Sequence, residues 1–245
     1  NHRSNMDYFI SGNLIEPEEG AQHYSEELYR LNTIPTYYYP IEMPKDLKNK
    51  SQFGCPSEMT LYLCPQSAIK HHPDLDFIFG EILKVDKDAL IMVVEGAVKD
   101  WSTQVRERWK KTIPGFQSKI KIIKRQSPEN FIALQNTADI ILDTPHFSGG
   151  NTSLEAFALG KPVVTFEGEF MRGRVTAGMY RMMGIDTCIA RNLNEYVKIA
   201  LKLGLDKAYR EVLSRRIKLS NRVLYENTEV INEFETFFKS VFSRD

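Results

Sequence analysis

Between residues 59 and 190 short apolar runs alternate with helical segments, and this alternation constrains the fold of the chain more than any other feature. The runs Met59–Cys64, Ala89–Glu95, Lys119–Ile123, Asp139–Leu142, Pro162–Phe166 and Thr187–Ala190 read as strands. Ala89-Leu-Ile-Met-Val-Val is continuously apolar, as a strand covered on both faces must be. Between the strands lie segments with helical signals. Pro73 to Lys84 is one, and Trp101, Val105 and Trp109 recur at fourth positions in the next, as core-facing residues of a helix do. Ser127-Pro128 supplies an N-cap and a first-position proline to a third. Thr152–Leu159 and Val175–Met183 complete the set. Strands joined through helices at this spacing require right-handed crossovers, so the expected class is α/β, a doubly wound, parallel, Rossmann-like sheet.

The flanks read differently. Residues 1–58 form an irregular lead-in with Pro17, Pro35, Pro40, Pro44 and Pro56. Met6–Ile10 is expected to be a short strand, Tyr24–Leu31 at most a two-turn helix, and Pro35–Pro40 an extended aromatic strap laid on a core. Residues 59–190 make the Rossmann-like domain, and 191–245 a helical C-terminal tail. The opening residues lack an initiator Met, which fits a piece cut from a longer polypeptide.

Composition narrows the classes without selecting one. With 245 residues, 42% apolar and 26% charged, the chain is a globular sequence rather than a disordered one. Its 32 basic and 32 acidic residues cancel, which argues against a dedicated nucleic-acid binder. No apolar run reaches the roughly 18 residues of a membrane-spanning helix. Cys55, Cys64 and Cys188 are too few and too scattered for a disulfide framework or a zinc signature, so a cytoplasmic, reducing compartment is expected.

Chemistry concentrates in Leu142-Asp-Thr-Pro-His-Phe-Ser-Gly-Gly-Asn-Thr-Ser-Leu-Glu155. A buried strand ends at Asp143, at the carboxyl edge where doubly wound sheets bind ligands. Gly149 and Gly150 can adopt positive φ and admit a ligand close to the backbone. Asn151, Thr152 and Ser153 open a helix whose N–H groups, hydroxyls and dipole suit a phosphate, and Glu155 in its first turn can hold ribose hydroxyls. A capped tight turn that binds nothing accounts for the same residues equally well.

Taken together with Met6–Ser11, Tyr24–Leu31, Gln66…Lys70…Pro73, Gly168–Val175, Gly184-Ile-Asp and Asn194–Gly204, this stretch resembles the C-terminal lobe of the O-GlcNAc transferase family, which includes plant Spindly and the bacterial cytoplasmic N-glycosyltransferases. The resemblance implies the donor-binding lobe of a two-lobed GT-B enzyme. Such an enzyme transfers sugar from a nucleotide diphosphate sugar, UDP-linked by preference, to a Ser/Thr or Asn side chain of a protein acceptor, without a catalytic metal or cofactor. An N-terminal lobe and helical repeats of the parent chain would complete it. The resemblance further implies that Gln66 and Lys70 approach the donor diphosphate, Lys70 as the catalytic cation; that Asn151 and Thr152 bind phosphate; and that Glu155 holds the ribose. Arg125 and Gln126 would border the base, and Arg174 and His146 would reach the donor, His146 equally suiting the acceptor or a plain polar loop. Gly150 stands where the family has a histidine. His71-His72-Pro-Asp74 invites a metal reading, but adjacent histidines do not share a metal face, so a capped helix start is preferred and no metal is expected. Two other classes stay open. One is a non-catalytic nucleotide-binding or interaction module derived from such an enzyme, and the other an epimerase of similar fold.

Overall fold

A computed structural model of the chain describes residues 6–44, 48–96 and 98–243. The strands are β1 (Tyr8–Gly12), β2 (Glu27–Leu31), β3 (Thr60–Cys64), β4 (Ala89–Val94), β5 (Ile120–Ile123), β6 (Ile140–Leu142), β7 (Val163–Phe166) and β8 (Ile189–Ala190). The helices are α1 (Pro73–Val85), α2 (Lys99–Thr112), α3 (Pro128–Thr137), α4 (Asn151–Ala158), α5 (Val175–Met182), α6 (Leu193–Leu205), α7 (Lys207–Ser220) and α8 (Thr228–Phe242). Six strands form one parallel sheet in the order β5-β4-β3-β6-β7-β8. Counted from β3, that is the doubly wound order 3-2-1-4-5-6, with the direction of winding reversing between β3 and β6. Every residue of β4 is buried, as its unbroken apolar run requires.

The helices form where the sequence supplies both a start and an inward face. The His72 side chain caps α1, Pro73 occupies its first turn, and Leu75, Ile78, Phe79 and Ile82 bury one stripe against the sheet. Trp109 is wholly buried, while Trp101 packs at the margin of the core. Buried Asp76 joins α1 to α2, accepting bonds from Arg108 Nε (2.8 Å), Trp109 Nε1 (2.9 Å) and Thr112 Oγ1 (2.9 Å), so its charge is fully matched. Arg108 also donates to the carbonyl of His71, which fixes the turn just ahead of α1.

The lead-in corrects one expectation. Glu27–Leu31 is strand rather than helix, and it pairs in parallel with β1. The reason is tertiary. Tyr8 and Tyr29 pack on Phe237 of α8, with ring centroids 5.2 and 4.4 Å away, and a helix could not present Tyr29 and its neighbours in register with β1. Residues 35–40 carry no regular structure, as expected of a proline-bounded strap. No helix among the described residues is long and apolar enough to cross a membrane.

Candidate functional site

The reversal between β3 and β6 leaves a crevice at their carboxyl ends, and the chain fills it with polar groups. Gln66 follows β3 and is 4% exposed; its Nε2 donates to Thr152 Oγ1 at 2.6 Å, at the open end of α4. Lys70, in the turn ahead of α1, donates from Nζ to the Ser148 carbonyl (3.0 Å) and to Gln66 Oε1 (3.2 Å), and lies 4.2 Å from the centroid of the Phe147 ring. It is therefore not a solvated surface lysine. Burial pushes its pKa below the ordinary lysine value, with the Asp143 carboxylate pulling the other way. A cation held in this manner is weakly hydrated and aimed.

Asp143 organises the loop instead of facing a ligand. It is 1% exposed and accepts from Gly149 N (2.7 Å), Thr144 N (3.0 Å) and Thr165 Oγ1 (2.8 Å). Burial raises its pKa, opposed by the bonds it accepts. The loop from β6 to α4 is thus wrapped around one buried carboxylate. Within it Gly149 is required for space rather than for positive φ. A Cβ there would lie 2.4 Å from Ser153 Oγ, 2.6 Å from Gln66 Nε2 and 2.7 Å from Thr152 Oγ1. Gly150 is not left-handed either, with φ −110°. The positive φ of this loop falls instead on His146, at 68°.

The predicted residues divide into groups. Gln66, Lys70, Gly149 and Thr152 meet at one point. Ser153 turns inward, its hydroxyl 2.8 Å from Thr176 Oγ1, which leaves Asn151 and Thr152 as the accessible polar residues at the helix start. Glu155, Arg125 and Gln126 line a neighbouring cleft of about 500 Å³, together with Phe131 and Ile132 of α3. Gln135 Nε2 donates to Glu155 Oε2 at 2.8 Å, and burial raises the Glu155 pKa against that bond. Arg174 is engaged elsewhere. It pairs with Glu167 Oε1 at 2.5 Å, an oxygen shared with Arg181, and donates to the Gly168 carbonyl. His146 pairs with Asp74 Oδ2 at 2.7 Å and does not line the cleft.

Sequence reading missed two residues. Gln135 stands four positions after Phe131 and seven after Pro128, which line the cleft, a helical spacing that could have marked it. Phe147 carried no local signal, because its partner Lys70 is distant in sequence, whereas Asp74 was marked by the His71-His72-Pro-Asp74 run and only its pairing with His146 is new.

Residues 39–230, which contain the whole of this constellation, match glycosyl transferase family 41. The chain belongs to that family. A probable UDP-N-acetylglucosamine–peptide N-acetylglucosaminyltransferase, SEC of Arabidopsis thaliana, is 25% identical over 96% of this chain and 25% of its own length. The probable SPINDLY transferase of Oryza sativa subsp. japonica is 35% identical over 82% of this chain and 22% of its own. A mutant O-GlcNAc transferase of Thermobaculum terrenum superposes with a TM-score of 0.77 at 25% identity, over 98% of this chain and 45% of that one. The chain thus spans about a quarter of the length of these curated relatives. The doubly wound sheet and its order agree with the fold expected of a GT-B C-terminal lobe.

Proposed function

We propose that this chain is the donor lobe of a metal-independent protein glycosyltransferase that takes a UDP-linked sugar. The observation that carries the reading is the convergence of Lys70, Gln66 and Thr152, a half-buried cation and an open helix start joined through one amide. The diphosphate lies across Asn151 and Thr152, where backbone N–H groups and the helix dipole favour negative charge. The base occupies the cleft bordered by Arg125, Gln126 and Phe131, and Glu155, steadied by Gln135, accepts the ribose hydroxyls.

An acceptor side chain, Ser/Thr hydroxyl or Asn amide, attacks the anomeric carbon. The bond from that carbon to the diphosphate oxygen breaks, and the electron pair leaves with the nucleotide. Lys70 meets the charge that develops there, and its partly desolvated ammonium is worth more than a hydrated one. The group that removes the acceptor proton and the surface that grips the acceptor belong to the N-terminal lobe of the parent chain.

A thermal-shift panel of uridine and guanosine diphosphates and their sugars tests the reading, because a ligand that binds only the native state raises the melting temperature. UDP and a UDP-sugar are expected to raise it, and Glu155→Ala is expected to remove the effect. An unchanged melting temperature across the panel, in a folded protein, overturns the assignment.

A further inference from the structure

The His71-His72-Pro-Asp74 run is not absorbed by the nucleotide reading, and the fold gives it a partner. His71 turns inward, its Nε2 3.1 Å from the Gln66 carbonyl, while His72 turns outward. The place of a second histidine beside His72 is taken by His146, from the loop between β6 and α4. We propose that His72, Asp74 and His146 bind one first-row divalent transition metal ion, zinc for preference.

The donor atoms of the three side chains all lie within 4.8 Å of one another. His146 Nε2 is 2.7 Å and His72 Nδ1 3.4 Å from the same Asp74 oxygen, and the two imidazoles stand edge to face at 4.6 Å between centroids. Bonds of about 2.0–2.2 Å hold donors roughly 3–4 Å apart around one tetrahedral ion, so the closest pair must widen and the farthest close, and the His72 Nδ1 lone pair passes from the Asp74 N–H to the metal. Two imidazoles and one carboxylate form a borderline donor set, which favours zinc, cobalt or nickel over the all-oxygen preference of magnesium and calcium. The side chains are 51%, 34% and 43% exposed, so an ion can reach them and keep water in its remaining positions. His146 also sits at φ 68°, a conformation that a non-glycine residue adopts at an energetic cost, and it brings the ring to Asp74.

The ion would work as a clip, leaving charge neutralisation at the diphosphate to Lys70. His72 and Asp74 belong to the start of α1, two and four residues beyond Lys70, and His146 begins the stretch that carries Phe147 and Ser148 to the Lys70 ammonium. Metal binding would tie together the two segments that hold that ammonium.

The site can be tested without nucleotide, so its failure is separate from any failure of the glycosyltransferase reading. The EDTA-treated protein is titrated with ZnCl2 in a calorimeter and with CoCl2 in a visible spectrophotometer. One ion per chain and visible cobalt bands are expected, with His72→Ala and His146→Ala each weakening zinc at least tenfold while remaining folded by circular dichroism. Absence of stoichiometric zinc binding, or wild-type zinc affinity in either folded variant, overturns the proposal.

Discussion

Lys70 Nζ donates to the carbonyl of Ser148 at 3.0 Å, across 78 residues of sequence, and so joins the turn ahead of α1 to the loop ahead of α4. Neither segment alone makes an anion site. Joined, they place a half-buried ammonium beside an open helix start, with Gln66 spanning the two.

If the chain is the donor lobe proposed above, Lys70 is the residue whose loss is expected to damage transfer most. In the full-length enzyme Lys70→Met, which keeps the stem and removes the charge, is expected to lower kcat by about 10²–10³-fold, the usual effect of deleting one group that meets developing charge. Steady-state kinetics with a UDP-sugar and a peptide acceptor reads this, and an unchanged kcat removes Lys70 from the chemistry.

Glu155 is held against its own ionisation. Burial raises its folded-state pKa, so the unfolded chain ionises it more readily and the group opposes folding as pH rises through that interval. Glu155→Gln is therefore expected to raise the melting temperature of the ligand-free protein at pH 7 while weakening UDP at least tenfold. The same shift makes UDP affinity of the native protein fall as the pH is lowered through the raised pKa. Differential scanning calorimetry and UDP titrations between pH 5 and 8 check both halves.

His71 carries a stability signature of the opposite sign. Burial lowers its pKa to about 4 from 6.5, and it stays neutral with Nε2 donating to the Gln66 carbonyl. Its contribution is complete above about pH 6.5 and drains away as pH falls towards 4, to a limit of roughly 3 kcal/mol. Urea denaturation at pH 7 and pH 5 should show this loss in the wild type and a flatter profile in His71→Asn.

Gly149→Ala should fail by collision. The added methyl would stand within 2.4–2.7 Å of Ser153, Gln66 and Thr152 side-chain atoms, and moving them is expected to cost about 1–3 kcal/mol of stability. Because two of the three belong to the phosphate site, UDP affinity should drop further than the melting temperature alone suggests. Gly150→Ala, with nothing within 4 Å of the new Cβ, should be far milder by the same two measurements.

Arg174 separates structure from binding. Its guanidinium is engaged by Glu167 and the Gly168 carbonyl, so Arg174→Ala should lower the melting temperature and leave UDP affinity within about twofold of wild type in calorimetry. A tenfold loss of affinity at unchanged stability would instead return Arg174 to the phosphate site.

The parallel sheet, its helices and the glycine turn that opens α4 were legible in the sequence alone. Those features are written in local periodicity and capping: the unbroken apolar run of β4, Ser127-Pro128 at the head of α3, and Gly-Gly-Asn-Thr-Ser at the head of α4. Tertiary structure decided what local signals cannot carry. Glu27–Leu31 became a strand because β1 and Phe237 offered it a partner. Ser153 and Arg174 were drawn away from the site by Thr176 and Glu167. Gly149 proved necessary for space instead of for φ, and the left-handed residue of the loop is His146. The deciding partners lie from three residues away, Thr152 for Gly149, to more than two hundred, Phe237 for Tyr29. Periodicity records which face a residue turns inward; only the folded chain fixes what it meets there.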